Sequence, residues 1–178
     1  MSIVKKLKIF ISERKEKLFW NNPDKWLAVI ILDENLEQVY GKVRNNLAIL
    51  ERIPKPETGY SYLDIVTVEG PIGKQLFRDE EIDVYKAIGI YRRSNILTFT
   101  YNAIIPNSKD YFRLLDWFKA YDKKAEFPWS PNDKNMEWRK GYCTADNLEQ
   151  ANRILREFIS LDKSRQVKDI EICMNYEE

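Results

Sequence analysis

Asp33-Glu34-Asn35-Leu36-Glu37-Gln38-Val39-Tyr40-Gly41-Lys42-Val43-Arg44-Asn45-Asn46-Leu47-Ala48-Ile49-Leu50 is the stretch on which the reading of this fold turns. Leu36, Val39, Tyr40, Val43, Leu47 and Leu50 recur every three or four residues, the spacing of one face of an amphipathic helix. Asp33 stands where an N-cap belongs, and Pro54 and Pro56 follow where a helix must have ended. The spacing predicts a helix over this stretch. Before it, Trp26 to Leu32 is a short, branched apolar run that reads as a buried strand, and after it Tyr62 to Val68 reads as another.

The same wording returns later. Asn35-Leu36-Glu37-Gln38 recurs 112 residues on as Asn147-Leu148-Glu149-Gln150, and at that offset Trp26 matches Trp138 and Arg44 matches Arg156. The second copy lies between a strand expected near Glu137 to Cys143 and one expected from Val167 to Met174. Its helix is expected from Asp146 to Ser160, with Asp146 and Glu149 as a capping box. Two origins fit the echo. One is a strand–helix–strand unit used twice; the other is coincidence, since helix openings favour similar residues and acids there complement the helix dipole.

The fold expected from the first origin is α+β: a mixed sheet with helices on one face, built from two ferredoxin-like βαβ units at 26–68 and 138–174. A hairpin of Val84–Tyr91 with Ile96–Ile105, turning at Arg92-Arg93-Ser94-Asn95, is then an insertion between the halves, although Ile82, Tyr85 and Ile88 also have helical spacing. So is a helix near Lys109 to Asp122, for which Asn107 and Asp110 have capping spacing. The whole reads as one domain over 1–178, preceded by an amphipathic helix over 1–20 whose polar face is rich in lysine.

Composition narrows the chemistry. Among 178 residues there is no histidine, so Ser-His-Asp and Cys-His catalysis and histidine metal sites are excluded. Twenty-nine basic residues face 28 acidic ones, a balance that argues against a dedicated nucleic-acid binder. Gly70-Pro71-Ile72-Gly73-Lys74 lacks the spacing and the hydroxyl of a phosphate loop and reads as a turn. Asp79-Glu80-Glu81-Ile82-Asp83 matches no calcium loop and reads as a solvated connector. Glu137 with Lys140, and Asp122 ahead of Lys123 and Lys124, do not complete a metal-dependent nuclease core. Cys143 and Cys173 are too few for a disulfide framework and read as buried thiols of a reducing, cytoplasmic protein. No apolar run is long enough to span a membrane, and the N-terminus has no signal-peptide cleavage pattern. No cofactor or metal site is expected.

What remains is aromatic and arginine-rich. Phe127 and Trp129 in a proline-braced loop, with Arg92 and Arg93, are the candidate partner-binding residues, because such side chains dominate protein-binding hot spots. The alternative for the rings is closure of one end of the core. The expected function is a non-enzymatic protein–protein interaction module, in one form an immunity or inhibitor protein that blocks a toxin or other enzyme. The near-neutral charge weakens the version aimed at a basic nuclease. The alternative is single-stranded nucleic-acid binding through the basic first helix, the two arginines and stacked rings.

Overall fold

The computed structural model describes residues 19–33, 37–128 and 137–173. The amphipathic helix expected over 1–20 lies outside them except for Phe19 and Trp20, which are helical. The chain mixes strands and helices, and where one domain was expected its contacts gather into two compact units. One is drawn from Met1–Glu51 and Ile65–Arg92, the other from Arg52–Asp64 and Arg93–Glu178. Among the described residues no helix is long and apolar enough to cross a membrane.

The first unit is a closed five-stranded barrel. Strands β1 (Lys25–Ile31), β2 (Gln38–Arg44), β3 (Leu47–Leu50), β4 (Ile65–Phe77) and β5 (Glu80–Arg92) are neighbours in chain order. Each consecutive pair is antiparallel, whereas β1 meets β5 in parallel at Val29–Val84 to Ile31–Lys86. An odd number of strands in a meander forces that parallel closure, because the first and last run the same way.

This overturns the helix expected from Asp33 to Leu50, and with it the first βαβ unit at 26–68. Val39, Gly41 and Val43 are buried while Tyr40, Lys42 and Arg44 are only partly covered, a period of two. A spacing of four, as between Val39 and Val43, satisfies both a helix and a strand, so the apolar pattern alone does not discriminate. The local chemistry does. Asn45 takes φ 55° in the two-residue turn between Arg44 and its partner Leu47. Gly41 sits where a Cβ would lie 2.5 Å from the backbone oxygen of Ile49, so β2 and β3 approach closely only with glycine there.

The β4–β5 hairpin also revises two loop assignments. Gly70 to Lys74 is not a turn between elements but lies inside β4. The acidic run is the hairpin's tip and the start of β5, with Arg78 and Asp79 in the turn at φ 49° and 69°. Its acids are partly tied up: Asp83 meets Lys25 at 2.7 Å and Glu81 meets Lys74 at 2.8 Å.

The second unit runs β6 (Leu97–Ile104), α1 (Ser108–Ala120), β7 (Ala125–Glu126), β8 (Arg139–Ala145), α2 (Leu148–Ser160), β9 (Gln166–Ile172). Its sheet is antiparallel in the order β7-β8-β6-β9. Phe99, Tyr101 and Ala103, on one face of β6, share a core with Leu114 and Phe118 of α1 and Ile154, Leu155 and Phe158 of α2. The expected hairpin of 84–105 is therefore no hairpin: β5 pairs with β1 and β4, whereas β6 pairs with β8 and β9.

Capping sets the helix starts. Asn107 accepts from the Asp110 amide at 3.0 Å, as its spacing predicts. In α2 the cap falls one residue later than expected. Asn147 accepts from the Gln150 amide at 2.8 Å, because the Asp146 carboxylate is held by Lys123 at 2.6 Å. A buried ion pair then ties the helices together. Asp110, at the start of α1, meets Arg165 at 2.5 Å, and Arg165 also donates to the Phe158 carbonyl in the last turn of α2 at 2.9 Å. Both side chains are almost wholly enclosed, so each charge depends on the other.

Candidate functional site

Strand β5 carries the arginine that composition singled out, and its geometry draws in residues that the sequence did not. The strand pairs with β4 out of step at two places near its end. Ile65 faces Arg92 but Val66 faces Ile90, leaving Tyr91 as an extra residue. Thr67 faces Gly89 but Val68 faces Ala87, leaving Ile88 as another. Each is a β-bulge, which bends the strand and re-aims the side chain it carries. The extra residues are large and apolar, yet Ile88 is 60% exposed and Tyr91 is 65% exposed. A third irregularity, between Glu69 and Gly73 of β4, likewise turns Ile72 outward at 54%. Ile90 and Arg92 are exposed as well, so the last five residues of β5 carry four exposed side chains, two isoleucines, a tyrosine and an arginine.

Why the strand does this is written locally. Ala87-Ile88-Gly89-Ile90-Tyr91 has apolar residues at consecutive positions, so a strand buried on one face cannot cover all of them. Ile82 and Val84 are buried in the even positions; beyond the irregularity opposite Tyr85, Tyr85 and Ala87 take over in the odd ones. The change of parity leaves Ile88 and Ile90 on the wet side. That run is the signal in the sequence for apolar side chains left outside the core.

The other expected contact residues are placed differently. Arg93 is not at a hairpin tip. It donates to the Gly59 carbonyl and meets the carboxylate of Asp64 at 3.4 Å. Asp64 is fully buried and also accepts from the amides of Ser61 at 2.9 Å and Ser94 at 2.8 Å, so Arg93 belongs to a structural clamp. Phe127 is 7% exposed and stacks on Tyr101 with ring centroids 6.2 Å apart, which places it in the core of the second unit. Trp129 lies outside the described residues.

Reactive chemistry finds little support in the cysteines. Cys143 is fully buried, and burial drives its thiol far above the usual range. Cys173 is half-buried and, chiefly by desolvation, pushed up to about 11. Neither holds a thiolate near neutral pH. Glu126 is raised above the ordinary carboxylate range mainly by burial, although Arg52 at 2.8 Å and the Ile53 amide at 3.0 Å oppose the shift.

No family model and no curated protein matches the chain. Among solved structures, the crystal structure of a hypothetical protein from Neisseria gonorrhoeae is similar over 83% of this chain and 94% of that one. The two share 14% sequence identity, and the TM-score is 0.34.

Proposed function

We propose that this chain is a non-enzymatic protein-binding module whose contact surface is the outward-turned end of β5. The observation that carries this reading is the pair of bulges that deliver Ile88 and Tyr91 to solvent beside Arg92. Exposed apolar residues grouped this way mark interaction sites, and tyrosine and arginine supply the strongest individual contacts. The partner is a protein rather than a single-stranded nucleic acid, because 29 basic residues against 28 acidic ones leave no excess of positive charge to attract a phosphate backbone. Burying Ile88 and Tyr91 on a partner is worth about 1.5–3 kcal/mol each before the costs of association.

The form that best suits such a surface is an inhibitor, the immunity kind included, that occludes a toxin or another enzyme. A cytoplasmic setting fits two free cysteines. The order β6-α1-β7-β8-α2-β9 fits a ferredoxin-like reading of the second unit, a fold that hosts many functions and so does not bear on this one.

The test is site-directed photocrosslinking in the cells that make the protein, with a benzophenone amino acid at position 91 or, as control, at the exposed Lys163 on the other unit. One protein adduct from position 91, absent from position 163 and lost with Ile88→Asp, is the expected result. Adducts to RNA or to a second copy, or equal yields from both positions, overturn the reading.

A further inference from the structure

The second unit contains a hollow of about 440 Å³ that the binding surface on β5 does not use. That volume lies in the range of small-molecule sites, roughly 300–1,000 Å³. Arg113, Asp116 and Trp117 line it from one face of α1. Phe158 in the last turn of α2, then Leu161 and Asp162, line it from the other side, and Arg165 completes it. Two of these residues carry an unmet donor. Four buried side-chain polar atoms have no hydrogen-bond partner among the described residues, and two of them, Trp117 Nε1 and Arg165 Nε, belong to this one lining. A buried N–H without an acceptor is costly, and native structures tolerate few.

Neither donor can find an acceptor by turning. The other two nitrogens of Arg165 are committed, one to the Phe158 carbonyl at 2.9 Å and one to Asp110 at 2.5 Å. Its guanidinium carbon also lies 4.3 Å from the centre of the Phe158 ring. Asp162 is occupied in its own turn, accepting from the amide and hydroxyl of Ser164 at 2.9 and 2.7 Å. The exposed Asp116 adds a second carboxylate to the lining. With Asp110, which stands 3.6 Å from Arg113, three acidic groups face two arginines. An anion would therefore add to a local excess of negative charge.

We infer that this hollow binds an uncharged aromatic carboxamide. The carbonyl oxygen has two lone pairs, one for Trp117 Nε1 and one for Arg165 Nε, and the amide N–H donates to Asp116. The ring lies against Trp117, Phe158 and Leu161. Both nitrogens are covered in the free protein. The long, exposed side chains of Arg113 and Leu161 are able to swing aside and admit the carbonyl. A carboxylic acid fits less well because it ionises beside Asp116 and Asp162, and an amine because it brings no acceptor to the two donors. The fixed guanidinium and Phe158 ring lower the cost of ordering the site.

Nitrogen–proton correlation NMR of the full chain, titrated with benzamide, tests this, and Trp117→Phe assigns the indole signal. Benzamide should shift the Trp117 indole N–H and the Arg165 Nε–H along one saturating curve. Acetophenone, which has the carbonyl but no N–H, should bind about tenfold more weakly, the worth of one hydrogen bond to a charged group. Benzoate should bind more weakly than either. Asp116→Ala, at an exposed position that leaves the fold intact, should bring benzamide down to the affinity of acetophenone and leave acetophenone unchanged. Trp117→Phe keeps an aromatic ring but removes the donor, so it should weaken both. An indole signal unmoved by millimolar benzamide, benzoate as tight as benzamide, or benzamide affinity indifferent to Asp116→Ala overturns the inference. The site lies on the second unit, so these results stand apart from those for the β5 surface.

Discussion

Residues 37–50 and 149–162 are the two stretches that the Asn-Leu-Glu-Gln echo opens, and one folds as a pair of strands while the other folds as a helix. Aligned at the offset of 112, Val39 matches Ala151 and Val43 matches Leu155, and all four are buried. That is the spacing both periods share. The copies part at the positions between. Lys42 and Asn46 in the first correspond to the fully enclosed Ile154 and Phe158 in the second, whereas the buried Gly41 corresponds to the exposed Arg153. A helix in the first copy would have to bury a lysine and an asparagine to complete its apolar stripe. A shared tetrapeptide thus says little, and the polar residues two and three positions away decide the period.

The largest expected effect breaks the helical copy through its tertiary anchor. Asp110→Ala strands Arg165 as a buried, uncompensated cation and should destabilise the second unit by about 3–5 kcal/mol in urea unfolding. In the strand copy the Lys42–Glu51 ion pair at 2.5 Å is partly exposed, and the strand ends are set by ladder pairing with β1 and β4. A loss below 1 kcal/mol would mean that α2 holds without the pair. Next comes the strand copy's own weak point. Gly41→Val drives a Cβ into the Ile49 carbonyl and should cost about 1–3 kcal/mol, while Arg153→Val at the matching position should stay within about 0.5 kcal/mol. Equal costs would show that the Gly41 contact relaxes. Smaller again, Asn147→Ala removes the cap of α2 and should cost about 1 kcal/mol by thermal melting. A melting temperature indifferent to this change would assign the start of α2 to packing alone.

How much was legible follows from the same contrast. Where propensity, period and flanks agreed, the sequence reading located β1, α1, α2 and the Asn107 cap. A spacing of four is ambiguous between helix and strand, and Gly41 and Asn45 show their roles as close-approach and turn residues only once the partner strand is in place. It also joined β5 to β6, since adjacency in sequence is the usual guide to pairing, and here the chain crosses between units at Arg92 and Arg93. Of the candidate contact residues only Arg92 stands on the exposed end of β5. Phe127 went to the core, as the alternative reading of the rings allowed, and Arg93 to the Asp64 clamp. Bulges were illegible, because register depends on what the partner strand does. Ile88 and Tyr91 were visible only as surplus apolar residues in a run too dense for one face.

The last contrast is one of sign, and its Asn45 member is the smallest effect expected. Asn45 and Glu157 occupy matching positions, one at φ 55° in a turn and the other in the interior of α2. Glycine in a helix interior costs about 1 kcal/mol, and Glu157→Gly also removes the acceptor of the Tyr121 hydroxyl. At Asn45 glycine meets the left-handed backbone without a Cβ, and the hydrogen bond that the main-chain N–H donates to the Asp24 carboxylate at 2.5 Å survives. The added freedom of the unfolded chain offsets part of that gain, so Asn45→Gly should leave stability unchanged or raise it by a few tenths of a kcal/mol. Paired melting curves read the contrast directly. If both glycines lower the melting temperature equally, the turn is not what separates the copies, and the distinction falls back on Lys42 and Asn46 alone.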